Sequence, residues 1–151
     1  RVAALELLTR DDGTNRRARF ALRQAAGAGP ATVFLKAHSP HHRWVHLRNG
    51  NLFNEARLFA SGVALPVDHP LVYKAVVDRL RLDFLLVMED LAQRGADPRD
   101  ATRPLSVDQV AHGLRALARL HSAFWGVSGR THPQLRWVKK TPLNLSSTSK
   151  A

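Results

Sequence analysis

The chain opens on alternating apolar and polar residues. Val2 to Thr9 reads as a strand with Leu5 and Leu7 on one face, since successive strand residues point to opposite sides. Within the polar stretch Arg10 to Asn15, Asp12-Gly13 marks a tight turn, because glycine takes positive φ without steric cost. Arg16 to Arg23 alternates again, with Ala18, Phe20 and Leu22 on one side and Arg17, Arg19, Ala21 and Arg23 on the other. A period of two predicts a half-buried strand, so the two segments form a hairpin. Ala25 to Pro30 is small and Gly-rich, a second turn. The β-branched, apolar run Thr32 to Ala37 predicts a third strand.

His38 to Arg48 is polar and reads as a loop, after which Asn49 or Asn51 can cap a helix. Leu52, Ala56 and Phe59 recur there at helical spacing, and Gly62 stands where the helix would end. A Pro-containing connector, Val63 to His69, leads to two further strands, Val72 to Val77 and Phe84 to Met88. The order strand, strand, strand, helix, strand, strand predicts an α+β unit: a five-stranded antiparallel sheet carrying one helix.

Gln93 to Arg103, with Gly95 and Pro98, reads as a linker. The clearest helix in the chain follows. Ser106 is a good N-cap, Gln109 three residues on completes a capping box, and Leu105 and Val110 can staple around it. Val107, Val110, Ala111, Leu114, Leu117, Ala118, His121, Phe124 and Trp125 keep the helical period until Gly126. Beyond it Pro133, Trp137 and Pro142 interrupt the pattern, and Ser146-Ser147-Thr148-Ser149 reads as disordered.

Composition narrows the classes. The 151 residues suit one domain, or one lobe and part of a second, and 44% apolar content supports a core. No run of about 18 apolar residues is present, so no membrane-spanning helix is expected. Absence of cysteine excludes disulfide scaffolds and cysteine zinc sites, and cytoplasm is the default location. The net charge of +11 fits nucleic acid, an anionic membrane or a phosphorylated ligand. The basic residues are dispersed, however, with Arg16-Arg17 and Lys139-Lys140 the only adjacent pairs, so nucleic acid is the weaker expectation.

Chemistry concentrates at Lys36 and Glu55. A lysine closing the third strand can reach a phosphate; it can equally extend its ammonium to water. Glu55 lies 19 residues on, beside Leu52 and Phe59 on the inward side of the helix, where a carboxylate would position that ammonium. Alone it is an ordinary helix residue. Kinase-like enzymes use such a strand-lysine and helix-glutamate pair to hold ATP phosphates. Met88-Glu89-Asp90-Leu91 ends the last strand. It reads either as an acidic turn or as a hinge whose backbone at Glu89 and Leu91 supplies the acceptor and donor that adenine requires.

Four segments occur in order: Phe34-Leu35-Lys36, Asn54-Glu55-Ala56-Arg57-Leu58-Phe59, Val87-Met88-Glu89-Asp90-Leu91, and Leu117-Ala118-Arg119-Leu120-His121-Ser122-Ala123-Phe124-Trp125. Together they resemble the N-terminal half of the aminoglycoside phosphotransferase and choline kinase-like group, with the ecdysteroid kinase-like branch and its bacterial relatives nearest. The resemblance spans about residues 2–137. It implies a protein-kinase-like N-lobe over 1–91, a hinge and linker over 92–105, the start of a truncated helical C-lobe over 106–137, and a tail over 138–151. It implies transfer of the ATP γ-phosphoryl group to a small-molecule hydroxyl. Lys36 would be the phosphate-binding lysine and Glu55 its partner. Met88, Glu89 and Leu91 would line the adenine pocket, and Gly13, Thr14 and Asn15 the nucleotide-covering turn.

The turn has one glycine rather than a G-x-G-x-x-G. No segment after Trp125 resembles the group's H-G-D-x-x-x-x-N catalytic loop or its later metal-binding aspartate, so Mg²⁺ is expected only with the full-length protein. These residues would then hold ATP without transferring from it. Two alternatives stand: a non-catalytic, pseudokinase-like fragment that binds nucleotide or a partner protein, with apolar surface on the 107–125 helix favouring self-association, and a basic nucleic-acid module. His121 is expected to be a buried structural histidine. His38, His41, His42 and His46 suggest zinc but fit no compact ligand spacing, and a solvated loop is the plainer reading.

Overall fold

The computed structural model describes residues 1–48, 50, 52–96 and 102–138. Its centre is a five-stranded sheet of β1 (Val2–Asp12), β2 (Asn15–Gln24), β3 (Thr32–His38), β4 (Val72–Asp78) and β5 (Asp83–Glu89). The spatial order is β1-β2-β3-β5-β4, and every neighbouring pair is antiparallel. The fold is α+β, and each strand falls where the sequence pattern placed it, all five reaching a residue or more further.

Among the described residues there are three α-helices, the short α1 (Arg43–Arg48) and α2 (Asn54–Ala60) and the longer α3 (Val107–Ala123), and three 3₁₀ turns. Segment 38–48 is therefore not a loop. His38 closes β3, a 3₁₀ turn spans Pro40–His42, and α1 follows. Asn49 and Asn51 lie outside the described residues; the N-cap of α2 is Phe53, with no side-chain cap bond. Gly62 sits just beyond the helix at φ 69°, the left-handed conformation glycine adopts freely. Gly13, by contrast, does not take positive φ, so the β1–β2 turn closes without the conformation expected of it.

The core forms where α2 meets β5. Along β5 the buried residues Phe84, Leu86 and Met88 alternate with half-buried ones and face Ala56 of α2, which is 1% exposed. Phe34, Phe53, Phe59, Val72, Ala75 and Val77 pack around them. Each buried side chain of this kind contributes about 1.5–3 kcal/mol. The opposite face of the sheet is also apolar. Register pairs Leu5 with Leu22 and Leu7 with Phe20, so the alternations of β1 and β2 share a face, yet Leu5 and Leu7 are 63% and 52% exposed.

α3 begins as its sequence requires. The Ser106 hydroxyl accepts from the Gln109 amide at 3.2 Å, and the Gln109 side chain accepts from the Ser106 amide at 2.9 Å. None of its residues is buried. His121 is exposed rather than packed, and Leu105 and Val110, the expected staple, are exposed too. The 93–103 linker begins inside a 3₁₀ turn, Leu91–Arg94, and its residues 97–101 lie outside the described set, as do residues 139–151 of the tail.

Leu86 is fully buried at the centre of the sheet–helix contact. Leu86→Ala should cost about 3 kcal/mol in urea unfolding; a loss under about 1 kcal/mol would mean the core does not close around β5.

Candidate functional site

The strand register assembles a charged row on the α2 side of the sheet. Directly paired residues share a face, and Asp11 of β1 pairs with Arg17 of β2, which pairs with Lys36 of β3. Lys36 pairs in turn with buried Leu86 of β5. One step along, Arg19 lies opposite Phe34, and Phe34 opposite Met88. The face thus grades from cationic at β2 to apolar at β5.

α2 supplies the matching anion. Glu55 is the neighbour of Ala56, so the contact that buries Ala56 also fixes where the carboxylate stands. Lys36 Nζ donates to Glu55 Oε2 at 2.5 Å. The two side chains are 23% and 41% exposed. A pair this accessible contributes at most about 1 kcal/mol to stability. Its principal effect is to hold the ammonium at one point of the surface.

A cavity of about 410 Å³ opens at this pair. Lys36, Glu55, Thr14 and Asn15 form its polar end, joined by Arg17; Phe34 and Met88 form its apolar wall. Five of the expected nucleotide residues therefore meet in one place: Thr14, Asn15, Lys36, Glu55 and Met88. The other three do not line the cavity. Gly13 precedes Thr14 in the turn, Glu89 is the last residue of β5, and Leu91 opens the 3₁₀ turn after it. The Glu89 amide donates to the Leu71 carbonyl at 2.8 Å, its carboxylate accepts from the Leu71 amide and pairs with Arg94, and the Leu91 carbonyl accepts from Ala96. Arg17 and Phe34 line the cavity too, although the sequence alone assigns neither a nucleotide-binding role. Their signal was register: Arg17 stands on the polar side of its alternating strand, and that side proves to face the site.

The surrounding contacts fix the cavity at two places. The Thr14 carbonyl accepts from His46 Nε2 of α1 at 3.4 Å, which ties the turn to the segment after β3. Arg19 reaches across to Asp90, donating from Nε at 2.9 Å and from Nη2 at 2.8 Å. Asp90 is 3% exposed and also accepts from the Ala92 amide at 3.2 Å. Burial opposes the Asp90 charge, but the Arg19 guanidinium and the Ala92 amide outweigh it and hold the carboxyl below its ordinary 3.8.

A larger depression of about 750 Å³ lies on the far side of α2. Arg57, stacked 4.6 Å over the Trp137 ring, and Arg79 stand at its rim. Asp78 lines it as well, and its carboxylate accepts from Arg81 at 3.0 Å. Among the described residues no group of three or more His, Asp or Glu is placed to hold a metal ion, and the four-histidine cluster forms no such site. None of the described helices is long and apolar enough to cross a membrane.

No family model matches the chain, and no match to a curated protein or to a solved structure was found.

The Asp90 shift has a definite sign. A depressed folded pKa adds stability that is complete above the unfolded value and is lost as pH falls through the folded one. Wild-type stability should therefore drop as pH falls below 3.8, and Asp90→Asn should flatten that acid limb. At pH 7 the variant should lose about 2–3 kcal/mol, because Arg19 is left without its buried partner. Urea midpoints at pH 7 and pH 3 measure both; equal pH dependence in the two proteins would overturn the assignment.

Proposed function

We propose that this chain is the nucleotide-binding lobe of a kinase-like phosphotransferase, with the Lys36–Glu55 pair as its phosphate anchor. The observation that carries the reading is the 2.5 Å contact between a β3 lysine and an α2 glutamate, at the polar end of a cavity walled by Phe34 and Met88. The donor set suits ATP. Cations and the Thr14 and Asn15 side chains meet a polyanion at one end, and apolar side chains accept a flat ring at the other.

The likeness to the aminoglycoside phosphotransferase and choline kinase-like group supports a division into an N-lobe over 1–91, a hinge over 92–105 and the start of a helical lobe from 106. The activity this reading implies is transfer of the γ-phosphoryl group of MgATP, which supplies the reactive group, to a small-molecule hydroxyl. This chain's own residues bind and orient. Glu55 holds the Lys36 ammonium in place where it lines the cavity. Arg19 and Asp90 anchor the end of β5, whose Met88 side chain walls the part of the cavity that would receive adenine.

One observation favours a second reading, a lobe that binds a partner without turnover. Val107, Leu114 and Leu117 on α3 are 84%, 60% and 45% exposed, an apolar surface that a partner or a second copy would cover.

Thermal melting with MgATP tests the nucleotide reading. ATP at one hundred times its Kd should stabilise the wild-type chain by about 2.7 kcal/mol, seen as a rise in Tm. Lys36→Ala should abolish that rise and Glu55→Gln should reduce it, with unliganded Tm little changed in both. An unshifted wild-type Tm at millimolar ATP would sink the proposal.

A further inference from the structure

Two cations stand side by side at the polar end of the cavity, and the phosphate anchor uses one of them. Resting on the nucleotide reading above, we propose that Arg17 is a second phosphate ligand, that Asp11 is its resident counter-ion, and that the two make the site select polyphosphates over monophosphates.

Arg17 and Lys36 are direct register partners on neighbouring strands. Like charges in that position repel, and the arrangement persists only where anions offset it. Each cation has one carboxylate: Glu55 on Lys36 and Asp11 on Arg17. The two carboxylates are not equivalent. Glu55 rides on the helix that the core seats against β5. Asp11 lies on the edge strand β1 and is 60% exposed, so its ion pair is of the weak, solvent-screened kind. An incoming anion displaces Asp11 more readily than Glu55.

The local geometry suits that exchange. Arg17 lines the cavity with Thr14 and Asn15. A Cβ at Gly13 would lie 3.3 Å from the Arg17 guanidinium, so glycine leaves that side of the turn open to it. A guanidinium presents paired donors that match phosphate oxygens, whereas an ammonium acts as a point charge. A chain of two or three phosphates can lie across both cations. A single phosphate satisfies one and leaves the other with its carboxylate.

Calorimetric titration of the whole chain with ATP, ADP, AMP and inorganic tripolyphosphate at low salt tests this. Arg17→Gln should weaken ATP and tripolyphosphate about tenfold, the size of a lost charge-assisted hydrogen bond, and AMP less than about twofold. Asp11→Asn should tighten ATP by about threefold, because the competing anion is gone. Circular dichroism of the unliganded variants reports whether they fold. A merely structural pair would make both variants lose ATP affinity alike, which overturns the proposal. ATP binding that vanishes in Lys36→Ala but is unchanged in Arg17→Gln overturns the Arg17 assignment and leaves the nucleotide reading standing. A wild-type chain that binds no ATP removes both. Should Arg17→Gln fail to fold, Asp11→Asn decides alone, and unchanged or weaker ATP affinity is then fatal.

Discussion

Ala56 against β5 is the contact on which the rest of the structure depends. Its small side chain lets α2 approach the sheet closely, over Phe84, Leu86 and Met88. Helix–sheet contact of this kind is set by shape and by burial of apolar area. It fixes the position of the preceding residue in the chain, Glu55, and so the reach of its carboxylate to Lys36. A bulkier residue at 56 would push the helix outward and draw Glu55 away from its partner. The charged pair is thus positioned by the core beneath it, while contributing little stability itself.

The site face of the sheet changes character across its width. β5 brings only apolar side chains to it and is covered by α2; β2 brings Arg17 and Arg19, which no helix covers. Arg19 resolves this by reaching Asp90 at the end of β5, a buried carboxylate that needs a cation. Arg17 pairs with the exposed Asp11. One face of β2 therefore carries two arginines in different energetic situations. The first is committed to architecture, and the second stands beside the cavity with a weak counter-ion.

Much of the sheet was legible in the sequence because strand alternation is a local signal: a residue's face depends only on its parity. Hence the five strands and the Ser106 cap emerge from the residues themselves. Segment 40–48 was not legible. Pro40 and the run of histidines carry no apolar period, and the helical turns there follow from tethering to β3 and to the Thr14 turn. α3 shows the opposite failure. Its period is clear, but periodicity promises a buried face only if something covers it, and His121 and the Val107–Leu117 stripe are exposed.

The candidate site divides the same way. Lys36, Glu55 and Met88 stood out in the sequence as the end of a strand, the inside of a helix and the approach to a hinge. The sequence by itself determined which residues alternate, where the turns fall and that one lysine and one glutamate lie on consecutive elements. Only the tertiary structure decided that Arg17 stands directly across from Lys36, that Arg19 is bound to Asp90, and that Glu89 turns to Leu71 and Arg94 instead of the cavity. The reason is physical. A side chain's parity is encoded within its own strand, but its neighbours across the sheet depend on register, and register is set by turns, bulges and burial acting over the whole sheet.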